Sequence, residues 1–445
     1  MRGGCGARVL KGSRAPVLGW ICALLLASCG GGHSAPQIPV ASVAPTISPR
    51  HSHPMQTIGP SLAHLRASLT REFTSAGPNT GAEVVDLGTG HVLFSLRANV
   101  RRPPASVEKI YTTVALDGEF GTGTRLHTTI LGTGHLDSAG VWHGNLYLRG
   151  GGDPTFGDGG FNRVWEQGYG PTAAQLVSQL QAAGIHRVTG RVFGDESLFD
   201  ARRGPPSSGF APDIPDLGGE LSALTYDHGG VTGKLSPAAF ATHELVLTMR
   251  GMHIGAIASQ TTRRTPPGAR ILAAVRSPAM SDLVRLMDVP SDDFFAEMLT
   301  KRLGARFGAA GSTAAGARVI ASTIASYGVH PTIVDGSGLS RADRSSPNQV
   351  THLLQQLWHT SAAAQLIGAL PVVGVSGTTR RIAPGTAAQG RCSAKTGTLD
   401  NVTNLAGYCH SRGHHEIAFA LFIDGPPNWT AIPLISQMVT SIVRY

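Results

Sequence analysis

Ser106-Val107-Glu108-Lys109 leads into Ile110-Tyr111-Thr112-Thr113-Val114-Ala115-Leu116, and the apolar spacing predicts a helix from about Ser106 to Leu116. Three residues apart on a helix, Ser106 and Lys109 share a face, so an amine can sit against a hydroxyl. A serine hydroxyl is a poor nucleophile until a base takes its proton, and a lysine serves as that base only where its surroundings favour the neutral amine. The free N–H groups and positive end of a helix start also suit an oxyanion. The plain structural alternative is a serine N-cap followed by a solvated lysine. Glu108 falls off the Ser106/Lys109 face and is expected at the surface.

Two further segments carry chemistry. Lys395-Thr396-Gly397-Thr398 follows Ser393-Ala394 on an expected strand. There a lysine attracts a carboxylate, threonine hydroxyls bind it, and glycine admits a close backbone approach. Thr398 offers a second oxyanion donor. Against this stands an edge-strand lysine that only discourages aggregation. Ser291-Asp292-Asp293 precedes the apolar spacing of Phe294, Phe295, Met298, Leu299 and Leu303. Its plain meaning is a helix start, with Ser291 as N-cap and acids in the first turn. Its position between the other two segments makes it a third candidate.

The chain order Ser-x-x-Lys, Ser-Asp-x, Lys-Thr-Gly resembles the active-site set of β-lactamases and penicillin-binding proteins. The separation of Ser291 from Lys395 suits one compact domain, whereas that of Ser106 from Ser291 leaves room for an extra module. The arrangement is similar to the class C low-molecular-mass penicillin-binding proteins, the D-alanyl-D-alanine carboxypeptidase/endopeptidase family called peptidase family S13. Other stretches resemble that family too: Arg149-Gly150-Gly151-Gly152-Asp153-Pro154-Thr155, Gly194-Asp195-Glu196-Ser197-Leu198-Phe199, Asp335-Gly336-Ser337-Gly338-Leu339-Ser340-Arg341 and Leu370-Pro371-Val372. The likeness spans roughly residues 61–445.

It implies an α+β fold: a β-lactamase/transpeptidase-like domain, an antiparallel sheet packed with helices, with a β-rich domain inserted between the first and second motifs. The implied roles are Ser106 as nucleophile, Lys109 as base, Ser291 as proton relay, and Lys395, Thr396, Gly397 and Thr398 as the substrate-binding strand. Asp293 departs from the family, which has asparagine there. An asparagine amide both donates and accepts, whereas an ionised aspartate only accepts and would pair with Lys109; an aspartate kept protonated in a crowded site would still donate. Activity is expected to survive in altered form.

Outside the motifs, a pattern of strands, then helices, then strands organises the chain. Strands are expected at Ala82–Leu87, His91–Leu96, Leu126–Leu131, Val141–Leu148, Val188–Gly194, Leu245–Arg250 and Arg270–Val275, with a helix at Thr172–Ala183. Helical spacing dominates from Pro278 to Thr360, and strands return at Gly390–Lys395, Leu405–His410 and Glu416–Asp424. One sheet assembled from both ends of the chain follows. The catalytic domain then takes residues 61–118 and 278–445, and the insertion 119–277. If the hairpin after Lys395 closes near Asp400-Asn401, Gly397 faces Asn404 and Cys392 faces Cys409, which makes a cross-strand disulfide a hypothesis.

Residues 1–28 read as an export signal, with Arg2, Arg8, Lys11 and Arg14 before the apolar run Val17–Ala27. Leu26-Ala27-Ser28-Cys29 resembles a lipoprotein signal whose cysteine becomes the lipidated first residue; ordinary cleavage near Ala35 would discard Cys29. Residues 29–60, rich in Ser, Pro and Gly, form an expected flexible tether. Export permits Cys392 and Cys409 to oxidise. The +9 formal charge is spread without a basic block, so nucleic acid is not an expected partner. No metal or organic cofactor is called for.

The expected activity is acyl transfer on peptidoglycan stem peptides, with β-lactams as covalent inhibitors and a membrane reached through a lipid anchor in the cell envelope. The rival readings are a β-lactamase and a catalytically weak penicillin-binding or wall-sensing lipoprotein.

Overall fold

The computed structural model describes residues 62–230 and 235–445. The signal, the tether and Cys29 lie outside the described residues. In chain order the elements are α1 (Leu62–Ala76), β1 (Thr80–Asp86), β2 (Val92–Leu96), α2 (Lys109–Phe120), β3 (His127–Leu136), β4 (Val141–Arg149), α3 (Gly159–Trp165), α4 (Ala173–Ala182), β5 (Arg187–Val188), β6 (Val192–Asp195), α5 (Ile214–Leu217), α6 (Pro237–Gly251) and β7 (Arg270–Arg276). There follow α7 (Met280–Asp288), α8 (Asp293–Phe307), α9 (Thr313–Ala325), α10 (Pro347–Trp358), α11 (Ser361–Ala369), β8 (Cys392–Leu399), β9 (Val402–His410), β10 (Glu416–Asp424) and α12 (Asn428–Arg444).

The first sheet is antiparallel, in the order β2-β1-β10-β9-β8, so strands from both ends of the chain lie side by side. Ile417–Ile423 is buried throughout, as a central strand covered on both faces requires. One face packs on α1 and α12 through Leu69, Phe73, Ile435 and Met438. The other packs on α10, and the same core runs on into α2 and α8 through Leu353, Tyr111, Phe294 and Leu299. Every strand of the second sheet falls between His127 and Arg276; β3, β4 and β7 are antiparallel, while β5 and β6 run parallel to β4.

One expected strand is a helix. Leu245–Arg250 lies inside α6, which Ser236 opens by accepting from the Ala239 N–H at 3.3 Å, with Pro237 in the first turn. Its buried residues Ala238, Ala241, Thr242, Leu245 and Met249 follow the helical period, and that outweighs the apolar run.

In the β8–β9 hairpin Gly397 faces Asn404 and Cys392 faces Cys409, and the two cysteines are joined as a disulfide. Replacing both with alanine is expected to lower stability by about 3 kcal/mol, the scale for a closed loop of this length, as read from urea denaturation. An unchanged midpoint would mean that the hairpin needs no clamp.

Candidate active site

Ser106 does not open an α-helix. Ala105–Glu108 is a single 3-10 turn, and α2 starts only at Lys109. Three residues per turn eclipse positions i and i+3, which stacks Lys109 directly on Ser106. Ala105 reaches this turn in the left-handed region, at φ 49°, with its side chain wholly buried. Asn404 on β9 pins the approach, its Nδ2 donating to the carbonyls of Pro103 at 3.0 Å and Pro104 at 2.9 Å. A Cβ at Gly397 would lie 2.4 Å from the Pro104 carbonyl, so glycine is what lets β8 lie against the serine turn.

Lys109 is fully buried, and its Nζ has three hydrogen-bond partners: Ser106 Oγ at 3.1 Å, the Ser337 carbonyl at 2.8 Å and Asp293 Oδ1 at 2.5 Å. The Ser337 carbonyl is held in place by its loop. Glu297 on α8 accepts from the N–H groups of Gly336 and Ser337, each at 3.0 Å, and Asp335 accepts from those of Gly338 at 2.7 Å and Ser340 at 2.8 Å. Gly338 presses on the Ala105 carbonyl, so this loop and the serine turn are in direct contact.

Ser291 is not the N-cap of α8. Asp292 caps it instead, accepting from the Phe295 N–H at 2.8 Å, while Ser291 sits one residue earlier at φ 65°. That frees its hydroxyl to accept from Lys395 Nζ at 2.7 Å. Lys395 is fully buried, and burial, reinforced by the charge of Lys109 and opposed by Asp288 and Asp293, pushes its amine down to about 7. Asp288 is pushed up to about 7 by burial, with Thr113 donating to its Oδ2 at 2.6 Å.

Above these groups opens a cavity of about 610 Å³ lined by Ser106, Ser291, Asp293, Thr396 and Thr398, together with Thr378, Arg380 and Arg381. Thr396 Oγ1 donates to Thr378 Oγ1 at 2.7 Å. Among the described residues no group of three or more His, Cys, Asp or Glu side chains is arranged to hold a metal ion.

The structure thus brings Ser106, Lys109, Ser291, Asp293 and the Lys395–Thr398 strand to one place. It also corrects the expectation for Glu108, which is not at the surface but wholly buried, with neither carboxylate oxygen hydrogen-bonded. The reason is that α2 is covered all round from Lys109 to Leu116 and has no solvent face there. Burial, and after it the nearby Asp335, holds the Glu108 carboxyl well above its usual range. Sequence reading also passed over Asn404, Thr378, Arg380, Arg381 and Glu297. Of these only Asn404 left a signal, a polar residue within a strand that is otherwise largely apolar.

The model of the D-Ala-D-Ala carboxypeptidase 3 (S13) family matches residues 65–239 and 234–442. A carboxypeptidase DacB of Mycolicibacterium smegmatis is 28% identical over 394 residues, covering 82% of each chain. A D-alanyl-D-alanine carboxypeptidase of an Actinomadura species is 26% identical over 461 residues, covering 83% of this chain and 82% of its own. Among solved structures, penicillin binding protein 4 (dacB) of Haemophilus influenzae superposes with a TM-score of 0.69 at 18% identity, over 85% of this chain and 99% of that one, a likeness of fold. With the family's model running almost from α1 to the end of α12, the chain belongs to the D-Ala-D-Ala carboxypeptidase 3 (S13) family.

Proposed function

We propose that this protein is a penicillin-binding serine D-alanyl-D-alanine carboxypeptidase/endopeptidase in which Ser106 forms an acyl-enzyme with peptidoglycan stem peptides. The observation that carries the reading is the Lys109 amine, buried and in contact with Ser106 Oγ beneath an open cavity. As a neutral amine, Lys109 has two hydrogens for Ser337 O and Asp293 and a lone pair for the Ser106 hydroxyl. The serine oxygen attacks the penultimate D-alanine carbonyl, and its proton passes to Lys109 Nζ. Backbone N–H groups of Ser106 and Thr398 hold the oxyanion. Ser291, bonded to Lys395, relays that same proton from Lys109 to the departing amine as the C–N bond breaks, which leaves Lys109 neutral again, and water then releases the acyl group. Lys395, Thr396 and Thr398 take the terminal carboxylate, and Gly397 gives the substrate backbone room.

Membership of the two sheets supports a catalytic domain of residues 61–118 and 278–445 with 119–277 inserted. The relatives support an exported protein of the cell envelope. Attachment through a lipid on Cys29 belongs to the same proposal and rests on the sequence around that residue.

Intact mass after incubation with benzylpenicillin tests the nucleophile. An adduct is expected on the wild type and none on Ser106→Ala, whose turnover of D-alanyl-D-alanine peptides falls about 10³-fold or more. An adduct on the variant would overturn the assignment.

Asp293→Asn replaces a group that only accepts with one that also donates, beside the Lys109 amine it touches at 2.5 Å. Acylation by benzylpenicillin is expected to speed up severalfold, because the amide donates to the ligand's carbonyl while its oxygen still accepts from Lys109. A slower variant would mean that the carboxyl itself takes part.

Because Lys395 is held down to about 7, it is an ammonium below that pH and a neutral amine above it. A carboxylate bound to it therefore loses affinity as pH rises, by up to about tenfold per unit. Calorimetric binding of N-acetyl-D-alanyl-D-alanine to Ser106→Ala should weaken between about pH 6 and pH 8. A flat profile would show that another group holds the carboxylate.

A further inference from the structure

A second cavity, of about 960 Å³, exceeds the one above Ser106. It lies at the carboxyl ends of the parallel strands β4 and β6, where Arg149 pairs with Asp195. The other walls are the chain entering β3, the loop 264–269 and α8.

Its charge is one-sided. Arg125, Arg149, Arg264 and Arg302 line it, and Asp195 is the single acid among the lining residues. Asp195 is already committed: Oδ2 accepts from the Thr265 N–H at 2.8 Å and hydroxyl at 2.6 Å, and Oδ1 from the Ser197 N–H at 3.0 Å. None of the four arginines forms an ion pair among the described residues. Arg125 is held by one bond to the Ser277 carbonyl, at 2.9 Å. Arg302 lies 5.4 Å from the Phe120 ring centre, and its buried Nε has no hydrogen-bond partner. Four arginines therefore line one cavity with no acid free to pair with them, and the planar fork of a guanidinium matches the oxygens of phosphate and carboxylate. The volume is that of an extended ligand rather than a single small ion.

We propose that this cavity binds a polyanion, one chain bearing several phosphate or carboxylate groups, at a site separate from the Ser106 cavity. The two sites share α8, which begins at Asp293 and reaches Arg302 about 14 Å further along its axis at the helical rise. A polyanionic strand of the envelope held there would be kept at a fixed offset from the reacting serine.

The test is calorimetric titration of the full chain with sodium tripolyphosphate and, separately, with a short oligoglutamate, at low salt and at about 0.5 M salt. The wild type is expected to bind at least one probe, more weakly at high salt as screening requires. The probe that binds identifies the oxyanion as phosphate or carboxylate. The double variant Arg149→Ala/Arg264→Ala, at two exposed side chains, should bind that probe at least tenfold more weakly while benzylpenicillin still acylates it as it does the wild type. If the double variant fails to acylate, Arg264→Gln alone, expected at threefold or more, replaces it in the comparison. Binding of neither probe by the wild type, or equal binding by the variants, would overturn the proposal. The benzylpenicillin experiment on Ser106 is read separately, so either reading can fail alone.

Discussion

A buried amine is the constraint around which the catalytic half of this molecule is organised. Lys109 has no access to water, and an ammonium or amine taken out of water must find acceptors within the protein. It finds three, each from a different part of the chain: a hydroxyl on the turn before α2, a carboxylate at the start of α8 and a carbonyl in the loop before α10. Each of these is fixed by a further contact. Asn404 holds the serine turn, Asp292 caps α8, and Glu297 with Asp335 fastens the Ser337 loop. Displacing any one would leave a buried polar group short of a partner, so the fold and the site stand or fall together.

The second buried lysine follows from the first. Lys395 shares a small volume with Lys109, and the two cations repel each other. Asp288 and Asp293 oppose that repulsion, and it is burial above all that keeps the Lys395 amine low. Ser291, lifted out of its capping position by its left-handed backbone, is the hydroxyl that links this cation to the cavity. A left-handed serine is costly in an ordinary loop; here the cost falls at the position where its hydroxyl meets Lys395.

How much of this could be read beforehand depended on whether a residue's type or its backbone does the work. The β8–β10 strands were legible because their apolar runs are long and the Asp400-Asn401 turn sets the register by counting. The Ser106, Ser291 and Lys395 segments were legible as side-chain patterns in a familiar order. The Asp335–Ser340 stretch was recognisable only as a family-like string, since what it delivers is the Ser337 carbonyl, and a backbone group leaves no mark in residue type. Glu108 was misplaced because periodicity describes one helix, whereas burial depends on what covers it; α9 and the Ser337 loop cover α2 on sides that a surface helix would expose. Leu245–Arg250 was misread for the opposite reason. Its local run is strand-like, but the Ser236-Pro237 start lay a few residues upstream and dictated a helix.

The first sheet joins Thr80 near one end of the chain to Ile423 near the other, with β10 wedged between β1 and β9. Nothing shorter than nearly the whole polypeptide can close it, and such distant pairings are slow to form because the loop must be ordered before they reward it. A chain threaded outward from its amino end would carry its serine turn across the membrane long before β9 and β10 follow. Asn404 and Gly397, which shape that turn, come from this late portion. The reactive centre would therefore be assembled only after export of the last strands, on the side where the wall is found.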